Sequence, residues 1–345
     1  MKKLLVIVLV LILSCSFVFA QAQKEKETAE RKASDIRIAY IVKWLGNPNW
    51  QTYEAGARAA AADLGVRINV FDVDDESDFQ GQYETALNVV NQGYDAIVAA
   101  SITNTNLIPA IAAANKAGIP WIVVSEDQDQ DVLDMYNAKV TARCRLSFYD
   151  EGIIAGKYFV DVLGGEGEVA LIEGLAGTSA TNDRIAGFKA AIKDSNLKLV
   201  ASLPGDWDRQ KAYNVAAGMI QSNPNLKGIY ALNDTMALGA VPAIQQAGKK
   251  VLIVGDDGSK EAFESIRDGN LAATVDGVAY QIAYYSVYAA VKAVVENLDV
   301  LPDYSLTPGL ITKDNAEEAL AVAPKPVSEM YIINENIYSS IKGIN

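Results

Sequence analysis

The chain has 345 residues, 50% of them apolar and 21% charged, with a formal net charge of −13 and no histidine. That length suggests two domains of roughly 150 residues, each able to build a sizeable core. The acidic balance argues against a nucleic-acid surface or docking on anionic lipid. Without histidine, a Ser-His-Asp triad, a histidine general base and a histidine-ligated metal are excluded.

Lys2 and Lys3 precede an apolar run over 4–13 and then small residues, the pattern of a secretory signal over residues 1–20. Val18-Phe19-Ala20 suits cleavage after Ala20, which removes both lysines and takes the formal charge to −15. A loose lipobox, Ile12-Leu13-Ser14-Cys15, offers a lipoprotein anchored through Cys15 as the rival; Leu13 fits it poorly, so plain cleavage is preferred. The polar run over residues 21–35 is expected to be a tether. The second cysteine, Cys144, is expected to be a buried small residue, so no structural disulfide is anticipated.

The body then alternates. Residues 36–42, 66–71, 94–100 and 119–124 are apolar enough for strands, and 50–64, 79–92 and 106–117 carry helical patterns stopped by Gly65, Gly93 and Gly118. That order implies a parallel sheet with right-handed crossovers. The pattern repeats with helices over 150–163, 180–195, 208–222, 235–247, 259–268 and 280–296, and strands over 168–172, 197–203, 226–232, 251–254, 271–275 and 309–312. Tyr280, Tyr284, Tyr285 and Tyr288 recur at helical spacing and are assigned to the core. Pro242 falls inside a helix and is expected to kink it. The acidic run over 72–78 looks like a solvated loop. No later apolar run is long enough to span a bilayer.

Polar and aromatic residues gather just after the strands, at the sheet edge where open α/β sheets bind ligands. Lys43, Asn47, Asn49 and Trp50 follow the first strand, and Ser125, Glu126 and Asp127 the fourth. Arg184, Trp207, Asn233, Asp257 and Asp276 occupy matching places in the second half. Amides and carboxylates side by side suit hydroxyl groups, and aromatic faces suit the C–H face of a sugar ring. Each has a plainer use. Asn233 and Asp257 can cap helices, Arg184 can form an ion pair, Trp50 and Trp207 can be packing, and Lys43 can be solvated. Trp44 is left as packing or rim, and Arg143 and Arg145 are placed at a hinge or rim. No G-x-S-x-G elbow, Walker motif or dinucleotide fingerprint is present.

Five motifs carry a resemblance: Asn47-Pro48 with Trp50, GLAGTSATNDRIAGF at 174–188, ASLPGDWDRQKA at 201–212, ALNDTMALGA at 231–240 and VGDDG at 254–258. With them the chain resembles the bacterial periplasmic sugar-binding proteins of ABC transporters, in the ribose- and galactose-binding branch. The likeness runs from Ile36 to about Thr312.

The resemblance implies an α/β fold of two Rossmann-like lobes with parallel sheets joined by a three-strand hinge. The lobes are expected over 36–146 plus about 278–306, and over 147–277 plus about 307–345. It implies that Trp50 and Trp207 sandwich a ring while Asn47, Arg184, Asn233 and Asp257 bind hydroxyls. Lys43 falls at a pocket-lysine position of arabinose-type binders, and Asp276 at or near a hinge glutamine. Asn49 stands where ribose binders carry a second aromatic, and Ser125-Glu126 where they present Asp-Arg. Those departures leave open an amino sugar, a polyol or another hydroxylated ligand. The implied function is capture of a monosaccharide or related polyol in the periplasm by a monomer and its delivery to an ABC permease. Nothing is catalysed, and neither cofactor nor metal is expected. A sensor presenting the ligand to a chemoreceptor or sensor kinase is the alternative. A sugar-responsive repressor is rejected, because a signal sequence stands where its DNA-binding helices would be.

Overall fold

A computed structural model describes residues 32–325; the expected signal, most of the tether and the last residues of the tail lie outside the described residues. The first half alternates as β1 (Arg37–Ile41), α1 (Pro48–Leu64), β2 (Arg67–Phe71), α2 (Phe79–Val90), β3 (Ala96–Ala99), α3 (Ile108–Lys116) and β4 (Trp121–Val124). A short α4 (Gln130–Met135) and β5 (Ala142–Arg145) complete it. The second half runs α5 (Phe148–Val162), β6 (Glu166–Glu173), α6 (Ser179–Ile192), β7 (Asn196–Pro204), α7 (Arg209–Ser222), β8 (Leu226–Ala231), α8 (Asp234–Ala247), β9 (Leu252–Asp256), α9 (Lys260–Arg267) and β10 (Ala273–Asp276). The long α10 (Ala279–Glu296), β11 (Tyr304–Ser305), β12 (Gly309–Thr312) and α11 (Ala316–Val322) follow.

Two six-stranded sheets result, ordered β11-β5-β4-β3-β1-β2 and β12-β10-β9-β8-β6-β7. Every pairing is parallel except β10 with β12. Each sheet is covered on both faces by helices, which is why central strands are apolar on both sides: Ile229, Tyr230, Ala231 and Leu232 are all fully buried. The chain crosses between the two α/β lobes three times: from β5 to α5, from β10 to α10, and from β11 to β12. Helix α10 packs on α1 and the first sheet, so the first lobe takes back a late piece of chain.

Strand β5 escaped the sequence reading because its four residues are ARCR. Ala142 and Cys144 point into the core, and Arg143 and Arg145 point out to Asp127, so two charges hide a period-2 pattern. Cys144 is fully buried, and burial pushes its thiol well above the usual value. Pro242 lies within α8, which continues from Asp234 to Ala247. Of the four tyrosines assigned to the core, only Tyr288 is buried; the rings of Tyr280 and Tyr284 stack at a half-buried surface, 6.4 Å apart.

Candidate functional site

The strand order of each sheet reverses once, between β1 and β3 and between β6 and β8. A crevice opens outside the carboxyl ends of strands at such points. Both crevices face the same interlobe cavity, lined from the first lobe by Lys43, Asn47, Asn49, Trp50, Tyr53, Glu76 and Ser125. The second lobe contributes Glu151, Arg184, Trp207, Asn233 and Asp257, with Leu146, Phe148 and Gly277 from the crossings. The free space is about 50 Å³. At the ~10–15 Å³ one water needs, that is room for a handful of waters, a small-molecule scale and too little for an oligosaccharide. A wider groove on the first lobe, lined by Asp95, Asn115, Lys116, Lys139 and Asn297 among others, draws no residue from the second lobe.

The first-lobe wall begins with a helix cap. Asn47 Oδ1 accepts the Asn49 N–H at 3.1 Å and Pro48 opens α1, a start that brings Trp50 to the cavity. The Asn47 amide donates to Glu76 Oε1 at 2.6 Å, and the Trp50 indole donates to the same oxygen at 3.0 Å. The acidic loop is therefore not wholly solvated. Asp72, Asp74 and Asp75 are exposed, but Glu76 turns inward. Burial raises its carboxyl above the ordinary range, against the pull of Lys43 and of those two donors. Lys43 Nζ lies 5.2 Å from the Trp50 ring centre, a cation over an aromatic face.

The second-lobe wall is set by close helix packing. Gly152 of α5 and Gly187 of α6 let the two backbones touch: a Cβ on Gly152 would lie 2.1 Å from the Arg184 carbonyl oxygen, and one on Gly187 would lie 2.0 Å from that of Tyr149. That proximity lets Arg184 Nε donate to Glu151 Oε2 at 2.8 Å. The same guanidinium donates to the Leu232 carbonyl at 2.7 Å and pairs with Asp256 Oδ1 at 3.0 Å. Asp256 also accepts from the Tyr230 hydroxyl at 2.5 Å. Asn233 caps α8, its Oδ1 accepting the Met236 N–H at 2.9 Å, which leaves the amide nitrogen for the cavity. Asp257 sits at φ 119, and burial raises its carboxyl well above the ordinary value, against the nearby Arg184. Trp207, at φ 64, lies across Gly174, where a Cβ would meet its ring at 1.9 Å.

Strained backbone marks the same place. Among the described residues, seven non-glycine residues have positive φ; Ser125, Trp207 and Asp257 line the cavity, and Asp206 and Val278 adjoin it. Conformations of this kind persist where the surroundings over-determine them, which is common at binding sites.

A family model described as the periplasmic binding protein domain matches residues 38–297. The chain belongs to that family. The D-allose-binding periplasmic protein of Escherichia coli K12 is 40% identical over 241 residues, covering 69% of this chain and 78% of its relative. The ribose import binding protein of Bacillus subtilis 168 is 31% identical over 241 residues, covering 70% and 76%. Among solved structures, an ABC transporter solute-binding protein from Actinobacillus succinogenes 130z with bound D-allose superposes with a TM-score of 0.77 at 27% identity, over 82% of this chain and 99% of that one. One from Agrobacterium vitis with bound D-fucose gives 0.76 at 29% identity, over 83% and 99%. The family resemblance and the two-lobed fold expected from the motifs are thereby shown.

Nine of the twelve residues gathered from the sequence line the cavity in this binding protein: Lys43, Asn47, Asn49, Trp50, Ser125, Arg184, Trp207, Asn233 and Asp257. Glu126, Asp127 and Asp276 do not. Asp127 pairs with Arg143 and Arg145. Glu126 is fully buried, and its carboxylate is taken up by Lys43 and by the first residues of α6. Asp276 turns its carboxylate to the Val278 N–H, 2.9 Å away, at the crossing into α10. Sequence reasoning missed Tyr53, Glu76, Phe148 and Glu151. Glu76 follows β2 and obeys the same strand-end rule as the others; Glu151 lies inside a helix and carried no such signal.

Proposed function

We propose that this protein captures a monosaccharide or related polyol in the interlobe cavity, outside the cytoplasmic membrane, and delivers it to an ABC importer. The observation that carries the reading is the cavity itself. It has Trp50 and Trp207 in its walls, and amides, carboxylates and cations converge on it from both lobes. Hydroxyl groups are the ligand chemistry those groups serve together. No group of three or more metal-ligating side chains exists among the described residues. Relatives in the family are binding proteins, which supports binding without chemical change, and those named for ribose are import components, which supports a permease as the recipient.

The proposed ligand contacts are Lys43, Asn49, Trp50, Ser125, Arg184, Trp207, Asn233 and Asp257, joined by Glu76 and Glu151. Asn47 acts mainly by fixing Glu76. The lobes that close are taken as 36–146 with about 278–306, and 147–277 with about 307–325. Closure requires the ligand to bind the shut form better than the open one. A thermal-shift panel of D-allose, D-ribose, D-fucose, myo-inositol and D-glucose tests the reading. At least one is expected to raise Tm by several degrees, and a flat panel removes the sugar assignment.

A further inference from the structure

Glu151 is a cavity carboxylate that no motif foretold, and one of its oxygens is left unpaired. Its side chain is fully buried. Oε2 accepts from Arg184, whereas Oε1 is buried with no hydrogen-bond partner. A buried acceptor left this way costs about 1–3 kcal/mol, more when it carries charge. Arg184 does not relieve it, because that one cation also faces Asp256 and the Leu232 carbonyl. An apolar residue at 151 would avoid the cost unless something else completes the site.

Gly277 is an independent second observation. Its backbone is outside the left-handed region, so its conformation does not demand glycine. A Cβ there would meet Glu151 Oε1 at 2.9 Å, while the next atoms, Leu146 Cδ2 and the Asp257 carbonyl oxygen, lie at 3.7 and 3.9 Å. The missing side chain therefore keeps residue 277 from crowding the unpartnered oxygen. Both residues line the cavity.

We propose that Glu151 Oε1 and the bare backbone at Gly277 form a specificity subsite that receives a hydrogen-bond donor of the ligand, an O–H or an N–H. The proposal rests on the reading of the cavity as the ligand site and names what that site selects. A ligand lacking a donor at this end leaves the carboxylate oxygen buried and unpaired, so it is rejected. Hydrogen-bonding sites discriminate by that penalty more sharply than apolar pockets do. The lining holds two further carboxyl groups, Glu76 and Asp257, beside two cations, Lys43 and Arg184.

The test uses two variants and titration calorimetry with the sugars of the panel, adding D-glucosamine as a match for D-glucose. Gly277→Ala puts a methyl group 2.9 Å from Oε1. Glu151→Gln can keep an oxygen on Arg184 and turns an N–H₂ donor toward the subsite. Both are expected to fold and to weaken the best wild-type binder by about tenfold or more, the scale of one charge-assisted hydrogen bond. Weaker binders are expected to lose less, so the order of preference changes. If the donor is an amine, D-glucosamine outbinds D-glucose on the wild type and the gap closes in Glu151→Gln; if a hydroxyl, the neutral sugar is preferred. Should Glu151→Gln fail to fold, Gly277→Ala alone decides. Unchanged affinities and order in Gly277→Ala overturn the subsite and leave Glu151 as the partner of Arg184. A wild type that binds none of these sugars overturns the sugar reading and the subsite with it.

Discussion

Glu126 of the first lobe accepts the Ser179 N–H of the second at 3.1 Å, and the Ser179 hydroxyl donates to the same oxygen. The Ala180 N–H reaches the other oxygen at 3.4 Å, where Lys43 also sits at 3.5 Å. A carboxylate from one lobe thus caps the positive end of α6 on the other, with a lysine behind it. The contact ties the two lobes together across the cleft, so Glu126 is expected to act as a latch on closure.

Replacing Glu126 with Gln should therefore weaken every ligand by a similar factor, roughly 10- to 100-fold for charge-assisted hydrogen bonds of this kind. The order of preference among sugars should not change, which separates this variant from Glu151→Gln. Calorimetry across the panel reads the affinities, and small-angle scattering of the free protein should show a larger radius of gyration. Equal affinities in variant and wild type would remove the latch.

Arg184 should matter to folding as much as to binding. Its guanidinium is buried between Glu151, Asp256 and the Leu232 carbonyl, and removing it strands two buried carboxylates. Breaking one partner out of a buried pair costs about 3–5 kcal/mol. Arg184→Met is expected to lower Tm by on the order of 10 °C, at the ~2–4 °C per kcal/mol of a domain this size. Arg184→Lys should fall between, since one ammonium lacks the planar fork that serves three acceptors. Thermal denaturation measures both, and a Tm unchanged in Arg184→Met contradicts the network.

A pH dependence follows from Asp234, the residue after the Asn233 cap. It is buried, and burial pushes its carboxyl from 3.8 to about 7, despite hydrogen bonds from the Thr274 hydroxyl and the Ser259 N–H. A folded value above the unfolded one means the protonated form is favoured by folding. The contribution to stability is complete below pH 3.8 and is lost as pH rises through about 7. Asp234→Asn can keep both bonds, its oxygen facing Ser259 and its nitrogen facing a rotated Thr274 hydroxyl. The Tm of wild type minus that of the variant should therefore shrink steadily between pH 4 and pH 8. A difference that stays flat assigns Asp234 an ordinary carboxyl.

What could be seen beforehand follows physical lines. The alternation of buried strands and glycine-stopped helices was visible because both faces of each parallel sheet are covered, which makes strands such as residues 229–232 uniformly apolar. Asn233 and Asp257 were visible because a chain leaving a strand end must place its next polar groups at the crevice. Glu76 was hidden by its neighbours: an acid among exposed acids looks solvated, and only the Asp75–Ser77 turn and the Asp78 cap of α2 swing it inward. Glu126 was legible as a strand-end carboxylate, but nothing local tells that α6 of the other lobe will meet it. Glu151 depends on a helix crossing set by two glycines 35 positions apart, a long-range fact with no local trace.

That crossing gives the last prediction, a matched pair of glycine substitutions. Gly152→Ala puts a methyl group 2.1 Å from the Arg184 carbonyl oxygen, a backbone atom in a well-packed helix pair that cannot step aside. Overpacking of this sort costs about 1–3 kcal/mol, and here it also parts α5 from α6, so the Glu151 carboxylate moves off Arg184. Tm and affinity should fall together. Gly218→Ala is the opposite case. It lies exposed within α7 with nothing within 4 Å of an added Cβ, so the substitution only removes freedom from the unfolded chain. It should raise stability by about 0.4–1 kcal/mol without touching affinity. Denaturant melts and sugar titrations of both variants measure this. If Gly152→Ala keeps wild-type affinity while losing stability, the crossing supports the fold but does not aim Glu151.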